Sequence, residues 1–270
     1  MSQLNAKVIG RMELAPGYFV LRVAPEGWDL PDFKPGQYSV LGLPGSAPRT
    51  PLADQEAEPP APDKMILRPY SIASSSTAKD HAEFYITLVR SGTLTPRLFN
   101  LKIGDPVWLG KKFTGLMTLE AVPKDANVLL ISTGTGLAPY MSMLRTLATS
   151  EGFDRNYAVI HGALHSWDLG YRSELETLDR LSPHFTYIPV VSEPAQEHAP
   201  WGGQTGFVED VWKADLVGKA WGGHPKKDDT HVFLCGNPLM IESAIRFLGA
   251  EGFTEHTKRT PGQIHMEKFW

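Results

Sequence analysis

Apolar and polar residues alternate over short distances in the first part of the chain, as they do along half-buried β-strands. The runs are rich in β-branched and aromatic residues and are separated by Gly, Pro or charged residues. The predicted strands are VIGRMEL, YFVLRVAP, QYSVLGLP, MILRPYSIAS, EFYITLVRSG and PVWLG. One short helix is predicted at residues 96–101. This row of short strands predicts a small antiparallel β-barrel as a first domain, residues 1–122.

From residue 123 onward, buried strands alternate with amphipathic helices. The last predicted helix carries Ile241, Ala244, Ile245 and Leu248 on one face. Alternating strands and helices predict a parallel sheet covered by helices. The predicted strands are NVLLIST, YAVIHGA, FTYIPVVSE and HVFLCG. The fold class is therefore an antiparallel β-barrel followed by an α/β domain with a parallel sheet, residues 123–270.

Composition narrows the function classes. A chain of 270 residues suits two domains, and a net charge of −4 argues against a general nucleic-acid binder. The opening MSQLNAKVIG lacks a signal-peptide core and no run approaches a membrane span, so we expect a cytoplasmic protein. A single cysteine, Cys235, excludes a disulfide or a cysteine-ligated cluster within the chain. The nine histidines lack metal-site spacing, so no metal is expected.

A proline-rich segment interrupts the first domain. It reads PGSAPRTPLADQEAEPPAPD, residues 44–63. Its Pro, Ala and acidic content predicts a mobile excursion from the barrel.

The RPYS segment places a proline within a predicted strand. Proline has no N–H and is normally confined to edge strands or bulges. Arg68 and Tyr70 on either side of Pro69 suggest a ligand lying along the strand. The residues alone are equally consistent with a surface edge strand.

The segment SGTLTPRLFN carries the signature of a helix start. Thr95 is predicted as the N-cap, Pro96 suits the first helical position and Gly92 permits an unusual turn. Free N–H groups at the start of a helix favour the binding of an anion there. A capped helix without a ligand is the alternative.

Two further turns follow buried strands and open helices. In STGTGLAP, Gly134 and Gly136 let the backbone approach a pyrophosphate, although Pro139 replaces the third glycine of the usual dinucleotide motif. CGNP places Cys235 and Gly236 at the carboxyl edge of the sheet, where α/β folds bind ligands. A structural turn and a small buried cysteine are the corresponding alternatives.

Five segments in this order resemble the ferredoxin–NADP reductase superfamily, most similarly the bacterial ferredoxin/flavodoxin–NADP reductases. They are RPYS, GTLTPRL, TGTGLAPYMSMLR, CGNP and the terminal HMEKFW. The resemblance implies an oxidoreductase that transfers hydride between NAD(P)H and FAD. It also implies one-electron exchange with a separate acidic carrier, ferredoxin or flavodoxin. We expect a monomer.

The resemblance also implies a flavin site. Arg68 would meet the FAD pyrophosphate, Tyr70 would pack on the isoalloxazine and Ser71 would lie near its reactive nitrogen. Arg145 and Trp270 would hold the adenine, which favours FAD over FMN. The full set is Arg68, Pro69, Tyr70, Ser71, Tyr85, Ile86, Thr87, Leu88, Gly92, Thr93, Leu94, Thr95, Thr135, Arg145 and Trp270.

For the nicotinamide nucleotide, the implied residues follow the strands of the second domain. They are Thr133, Gly134, Gly136, Leu164, His165, Glu193, Cys235 and Gly236. The implied catalytic residues are Ser71, Cys235 and Glu267, the last as a proton relay.

The chain departs from the NADP-dependent members of that family at three positions. Where those members carry arginines that hold the 2′-phosphate, it has Leu164, Glu193 and Phe207. A carboxylate suits the ribose hydroxyl of NADH and repels a phosphate. We therefore favour NADH, with His165, Arg172 or Lys213 as residues that could rebuild a phosphate site.

Basic residues of the first domain suggest the surface for the carrier. They are Arg68, Arg97, Lys102, Lys111 and Lys112, interleaved with Phe99, Trp108 and Phe113. A solvated surface without a partner is the alternative.

Other functions stay open at this stage. One is the reductase component of an oxygenase or other multi-component system, whose cluster would reside on another protein. The others are a non-catalytic module with an apolar ligand in the barrel and a flavin-binding regulatory subunit.

Overall fold

The computed structural model describes residues 4–150 and 152–267. These residues form two compact units. The first extends to Thr118 and also includes Ala138–Thr146. The second comprises Leu119–Leu137 and the chain from Leu147 onward.

The first unit is the predicted antiparallel barrel. Its strands and helix are β1 (Ala6–Ala15), β2 (Tyr18–Pro25), β3 (Tyr38–Pro44), β4 (Met65–Ser71), β5 (Ala82–Thr87), α1 (Thr95–Phe99) and β6 (Pro106–Leu109). The strands lie in the order β4-β3-β6-β1-β2-β5, and the bridge between Ile72 and Phe84 joins the two ends of this order.

The core of the barrel comes from alternate positions of these strands. Phe19, Leu21, Phe84 and Ile86 are fully buried in one cluster. Leu98 from α1 joins them, which places this short helix against the barrel core. Alternation with period two therefore determines which side chains fill the barrel.

The second unit is the predicted parallel sheet. Its elements are β7 (Asn127–Thr133), β8 (Tyr157–Ala163), α3 (Arg172–Leu181), β9 (Phe185–Val191), β10 (Gln204–Thr205), α4 (Val208–Lys213), α5 (Leu216–Trp221), β11 (Thr230–Cys235), α6 (Pro238–Ala250) and β12 (Ile264–Glu267). Between β7 and β8 the chain forms α2 (Ala138–Thr149), most of which belongs to the first unit. The strands lie in the order β10-β9-β8-β7-β11-β12, and every pair is parallel.

The order of the parallel strands reverses between β7 and β11. The chain runs outward from β7 through β8 and β9, and then returns to place β11 on the other side of β7. Such a reversal opens a crevice at the carboxyl ends of the two strands. The predicted apolar face of α6 is confirmed, because Ile241, Ala244 and Leu248 are fully buried.

Several local details differ from the sequence predictions. Thr95 does not cap α1: Leu94 is the N-cap, without a side-chain bond, because the Thr95 hydroxyl bonds to Val89 instead. The segment FVEDVWKADL, whose composition is typical of a single helix, contributes to two helices, α4 and α5, divided at Asp215 with φ of 51°. The short strands β10 and β12 were not predicted.

The proline-rich segment differs most from its prediction. Beyond Pro44, the last residue of β3, it contains no helix or strand, but it is tied to its surroundings rather than projecting from them. Gly45 N–H donates to the carbonyl of Lys64 (2.8 Å), which closes the base of the loop. Thr50 N–H donates to the carbonyl of Pro96 (3.0 Å).

Among the described helices, none is long and apolar enough to cross a bilayer.

Candidate functional site

The end of β4 presents the RPYS residues. Because β4 pairs within its sheet only with β3, Pro69 can occupy it without a missing ladder bond on its outer side. Arg68 is exposed, and its hydrogen bond within the described chain goes to the carbonyl of Leu67 (2.8 Å). Burial raises the pKa of Tyr70, against the opposing charge of Arg68, so this phenol stays protonated. The exposed Arg68 cation, a phenol and the half-buried Ser71 therefore lie along one strand.

The 92–95 turn is held by hydrogen bonds on both sides. The Val89 carbonyl accepts from Gly92 N–H (2.8 Å) and from the Thr95 hydroxyl (3.2 Å). A Cβ on Gly92 would lie 3.0 Å from that carbonyl, which leaves no easy room for a side chain. The N–H groups of Thr93 and Leu94 have no protein acceptor within the described chain. The turn therefore offers backbone donors to a ligand.

The four residues predicted on β5 and just after it differ in their environments. Ile86 belongs to the barrel core, and its side chain cannot line a ligand. Tyr85 is buried on the opposite face, 6.1 Å from the Tyr18 ring. Thr87 and Leu88 are half-buried.

Arg145, predicted for the adenine, is bound to a carboxylate that sequence reasoning missed. Glu83 is 1% exposed and lies 2.6 Å from both Arg145 and Arg22. Arg145 also donates to the carbonyl of Ala73 (2.9 Å). Its predicted partner Trp270 lies outside the described residues.

In the second unit, two glycine turns interlock where the strand order reverses. A Cβ on Gly136 would lie 2.2 Å from the carbonyl oxygen of Cys235, and one on Gly236 would lie 2.8 Å from Thr133 N. Gly134 and Gly236 have φ of 53° and 137°, which favour glycine. Only glycine at these positions permits the close approach.

Hydrogen bonding fixes the same two turns to each other. The Thr133 hydroxyl accepts from Asn237 N–H (2.8 Å). Thr135 is half-buried in the first turn. The carboxyl ends of β7 and β11 therefore form one rigid edge.

Beside this edge, a thiol and a carboxyl lie on neighbouring strands. Cys235 and Glu267 are register partners in β11 and β12. Burial, and then the Glu267 charge, raises the pKa of the Cys235 thiol, so it is a neutral side chain rather than a thiolate nucleophile. Burial raises the pKa of Glu267 to about 8, and its Oε2 has no partner among the described residues. Glu267 can therefore hold a proton at neutral pH.

Leu164, Glu193 and Phe207 follow strands on the side of β7 opposite to β11 and β12. They follow β8, β9 and β10, which are neighbours. Glu193 N–H donates to the carbonyl of Leu164 (2.9 Å). Leu164 is 58% exposed and Phe207 68%.

The strongest carboxylate contact in this region belongs to Glu197, not to the predicted Glu193. Glu197 accepts from Ser166 N–H (2.5 Å) and from the Ser166 hydroxyl (2.6 Å). Burial alone would raise the pKa of Glu197, but these bonds outweigh it and lower the pKa. Next to it, His165 stacks on Trp167 at 4.4 Å and contacts Asp168 and Gln196.

Comparison with known proteins agrees with this arrangement. Residues 130–246 match the family model of the oxidoreductase NAD-binding domain. The flavodoxin/ferredoxin–NADP reductase of Buchnera aphidicola is 30% identical over 208 residues, covering 77% of this chain and 82% of that one. The chain belongs to the flavodoxin/ferredoxin–NADP reductase family. It is an oxidoreductase.

Two further relatives extend this result. A ferredoxin NADP⁺ reductase from Neisseria gonorrhoeae, solved with bound FAD and NADP, superposes with a TM-score of 0.79 at 25% identity and 98% coverage of both chains. The reductase component of propane 2-monooxygenase from Rhodococcus jostii is 31% identical over 268 residues, covering 97% of this chain and 60% of that one.

The carrier surface predicted from the sequence is wrong at three residues: Arg97, Phe99 and Phe113. Arg97 is 3% exposed and paired with Glu56, so it cannot meet a partner. Phe99 and Phe113 belong to the barrel core. The exposed basic residues that stay available are Arg68, Lys102, Lys111 and Lys112.

Proposed function

We propose that this member of the family is an FAD-dependent reductase that oxidises NAD(P)H and reduces a ferredoxin or flavodoxin. FAD, when bound, would accept hydride from the nucleotide and release electrons singly to the carrier. The proposal rests mainly on the two interlocked glycine turns at the strand-order reversal, where Gly136 packs against the backbone of Cys235.

The barrel residues fit a flavin dinucleotide. Among the described residues Arg68 has no carboxylate partner, and the 92–95 turn supplies N–H donors; a pyrophosphate needs both a cation and such donors. Tyr70 supplies a ring face, and Ser71 a hydroxyl at the end of the same strand. Arg145 is held in place by Glu83 and can stack on an adenine through its guanidinium plane.

The second unit fits the nicotinamide nucleotide. The edge formed by Thr133, Gly134, Gly136 and Gly236 accepts a close backbone approach, and the neutral Cys235 thiol adds a small uncharged contact. Glu267 holds a proton beside it. This set suits binding and orientation of a nicotinamide, with Glu267 able to give or take a proton.

Reduction of an artificial acceptor tests the proposal. We expect the purified protein to be yellow, to release FAD on denaturation, and to reduce ferricyanide with NADH or NADPH. A folded but colourless protein would contradict the proposal.

We further propose that NADH is preferred over NADPH. Ser166 provides an N–H and a hydroxyl that could bind a phosphate, but the ionised Glu197 already occupies both. The neighbouring Leu164 and Phe207 are exposed apolar groups that cannot bind a dianion. Glu197 therefore replaces Glu193 as the main residue opposing a 2′-phosphate.

Steady-state kinetics with both nucleotides test this preference. We expect a higher kcat/KM for NADH, and a rise of about tenfold in relative NADPH use in Glu197→Gln, because one repulsive charge is removed. Glu242→Gln, an exposed carboxylate on α6, is the matched control. A higher kcat/KM for NADPH in the unmodified protein would overturn the preference.

The carrier is proposed to be an acidic protein. Lys102, Lys111 and Lys112 are exposed on the barrel unit and can steer an acidic partner. We also propose that the enzyme works as a monomer in the cytoplasm, where NADH is produced.

The second candidate is a reductase component of an oxygenase, favoured by the similarity to the Rhodococcus jostii component. With Cys235 as the single cysteine, any cysteine-ligated iron–sulfur cluster would reside outside these 270 residues. The identity of the carrier that accepts electrons fastest separates the two candidates.

A further inference from the structure

The loop of residues 45–64 contains a buried ion cluster centred on Glu56. The two carboxylate oxygens of Glu56 lie 2.8 and 2.9 Å from the two terminal nitrogens of Arg97, and Oε1 also lies 2.7 Å from Arg49. The three side chains are 12%, 3% and 17% exposed, in the same order. The hydrogen bond from Arg97 outweighs burial and lowers the pKa of Glu56. Glu56 is therefore an ionised bridge between two arginines.

Both arginines reach from this bridge to the 92–95 turn. Arg97 Nη1 donates to the carbonyl of Thr93 (2.6 Å), and Arg49 Nη1 donates to the carbonyl of Gly92 (3.0 Å). The loop backbone contacts both flanks of the same turn, because Asp54 N–H donates to the carbonyl of Arg90 (3.1 Å) and Thr50 N–H to that of Pro96. The loop thus fastens the turn from two sides.

These bonds orient the N–H groups of the turn. Each peptide unit is planar, so the carbonyl of Gly92 is rigidly coupled to the N–H of Thr93, and the carbonyl of Thr93 to the N–H of Leu94. These are the two N–H groups that have no protein acceptor within the described chain. Holding the two carbonyls therefore directs two free donors.

We propose that the 45–64 loop is a positioning element for the flavin pyrophosphate, and that it acts through Glu56. The inference rests on the proposed FAD site. Glu56 touches no cofactor itself: it holds Arg49 and Arg97, which hold the two peptide units that would donate to the phosphates. Loops of this length without secondary structure are usually either functional or disordered, and the bonds to Arg90 and Pro96 hold this one in place.

Two effects of removing the Glu56 charge oppose each other. An unpaired Arg49 and Arg97 would attract a pyrophosphate more strongly. Against this, Arg97 is 3% exposed, and a buried cation without its partner forces the surrounding structure to rearrange. The second effect is larger because the charge is buried, so FAD binding should weaken.

Release of FAD from the holoprotein tests the proposal. In Glu56→Gln we expect FAD to dissociate at least about tenfold faster, from the loss of charge-assisted bonds. The affinity of the apoprotein for riboflavin, which has no phosphate, should be unchanged, and amide exchange at residues 92–95 should accelerate. Glu58→Gln, an exposed carboxylate in the same loop, is the matched control and should behave as the unmodified protein.

Several results would overturn the inference. One is an FAD release from Glu56→Gln that is unchanged or slower. Another is a loss of riboflavin affinity equal to the loss of FAD affinity, which would indicate a general role of Glu56 in folding. If Glu56→Gln does not fold, Arg49→Gln is tested instead, because this variant keeps the Glu56–Arg97 pair and removes the bond to Gly92. We expect the same faster release of FAD with unchanged riboflavin affinity. Unchanged FAD release in Arg49→Gln would also overturn the inference. If the purified unmodified protein contains no FAD, the proposed function itself is wrong.

Discussion

The carboxylate of Glu83 lies 2.6 Å from the guanidinium of Arg145, and the same carboxylate binds Arg22 at 2.6 Å. Glu83 is almost completely buried on β5, whereas Arg145 comes from α2. This ion pair joins two segments of the barrel unit that are about sixty residues apart in sequence. Arg145 therefore has a fixed position, as a residue that stacks on an adenine requires.

Replacing Glu83 with Gln should destabilise the protein by about 2–3 kcal/mol, because two charge-assisted bonds are lost in a buried place. We also expect weaker FAD binding, since Arg145 is no longer held. Thermal unfolding and FAD titration measure the two effects. Glu13→Gln is the control, because its pair with Arg11 is longer (3.7 Å) and half-exposed, and it should cost at most about 1 kcal/mol. Equal effects of the two substitutions would contradict this account.

A methyl group on Gly136 should disrupt the interlocked turns. Its Cβ would lie 2.2 Å from the Cys235 carbonyl oxygen, a backbone atom that cannot move aside cheaply. Gly136→Ala should lose about 3 kcal/mol of stability and most NAD(P)H oxidation, while FAD stays bound. Gly249→Ala on α6 meets open space and should be neutral or slightly stabilising. Chemical denaturation and kcat/KM of both variants test the prediction, and an active Gly136→Ala protein would refute it.

Glu267 should make stability depend on pH. Its pKa in the folded protein is about 8, above the ordinary 4.5, because burial disfavours the charge. The unfolded chain ionises first, so stability should fall as pH rises from about 4.5 to about 8 and then level off, by an amount on the order of a few kcal/mol. Glu267→Gln should remove this decline. Melting temperatures of both proteins at pH 6 and pH 9 test it, and parallel curves would show that Glu267 titrates normally.

Turnover should respond to the same proton. If Glu267 supplies a proton during electron transfer, kcat should fall above pH 8 in the unmodified protein. Glu267→Gln should have a lower kcat without that limb. A kcat that is equally high and flat in both proteins would remove Glu267 from the mechanism.

Much of the fold follows from the sequence. The six barrel strands and the parallel strands β7, β8, β9 and β11 were predicted, because alternation with period two and continuous apolar runs are local signals. The two glycine turns after buried strands were also predicted. In the structure Gly134 and Gly236 adopt positive φ there. The resemblance to the family then supplied the residues expected to bind the flavin and the nicotinamide nucleotide.

Other features depend on contacts that no local pattern reveals. Glu83 alternates with core residues on β5, and nothing in the sequence indicates that Arg145 would reach it. Glu56 lies among prolines and acids that suggest a mobile loop, yet two arginines hold it. Glu197 lies four residues beyond the predicted Glu193, and only the folded chain brings it to Ser166. The contacts of carboxylates with residues distant in sequence, both ion pairs and hydrogen bonds, were therefore the main omission.

Carrier reduction should be sensitive to salt. Exposed Lys102, Lys111 and Lys112 would steer an acidic partner, and screening weakens such steering as ionic strength rises. The second-order rate constant with an acidic flavodoxin should fall severalfold between low and physiological salt, and Lys111→Gln/Lys112→Gln should reduce that dependence. Ferricyanide reduction is the control for general damage. A rate that does not change with salt would indicate a carrier recognised by other means.

This chain is proposed to pass electrons from a nicotinamide nucleotide through FAD to a carrier protein. Anaerobic mixing of the purified protein with NADH tests it most directly. The visible flavin absorption should bleach in proportion to one FAD per chain, and oxidised ferredoxin or flavodoxin should restore it. A protein that holds FAD but is bleached by neither NADH nor NADPH would contradict the claim and would identify a non-catalytic flavin-binding module instead.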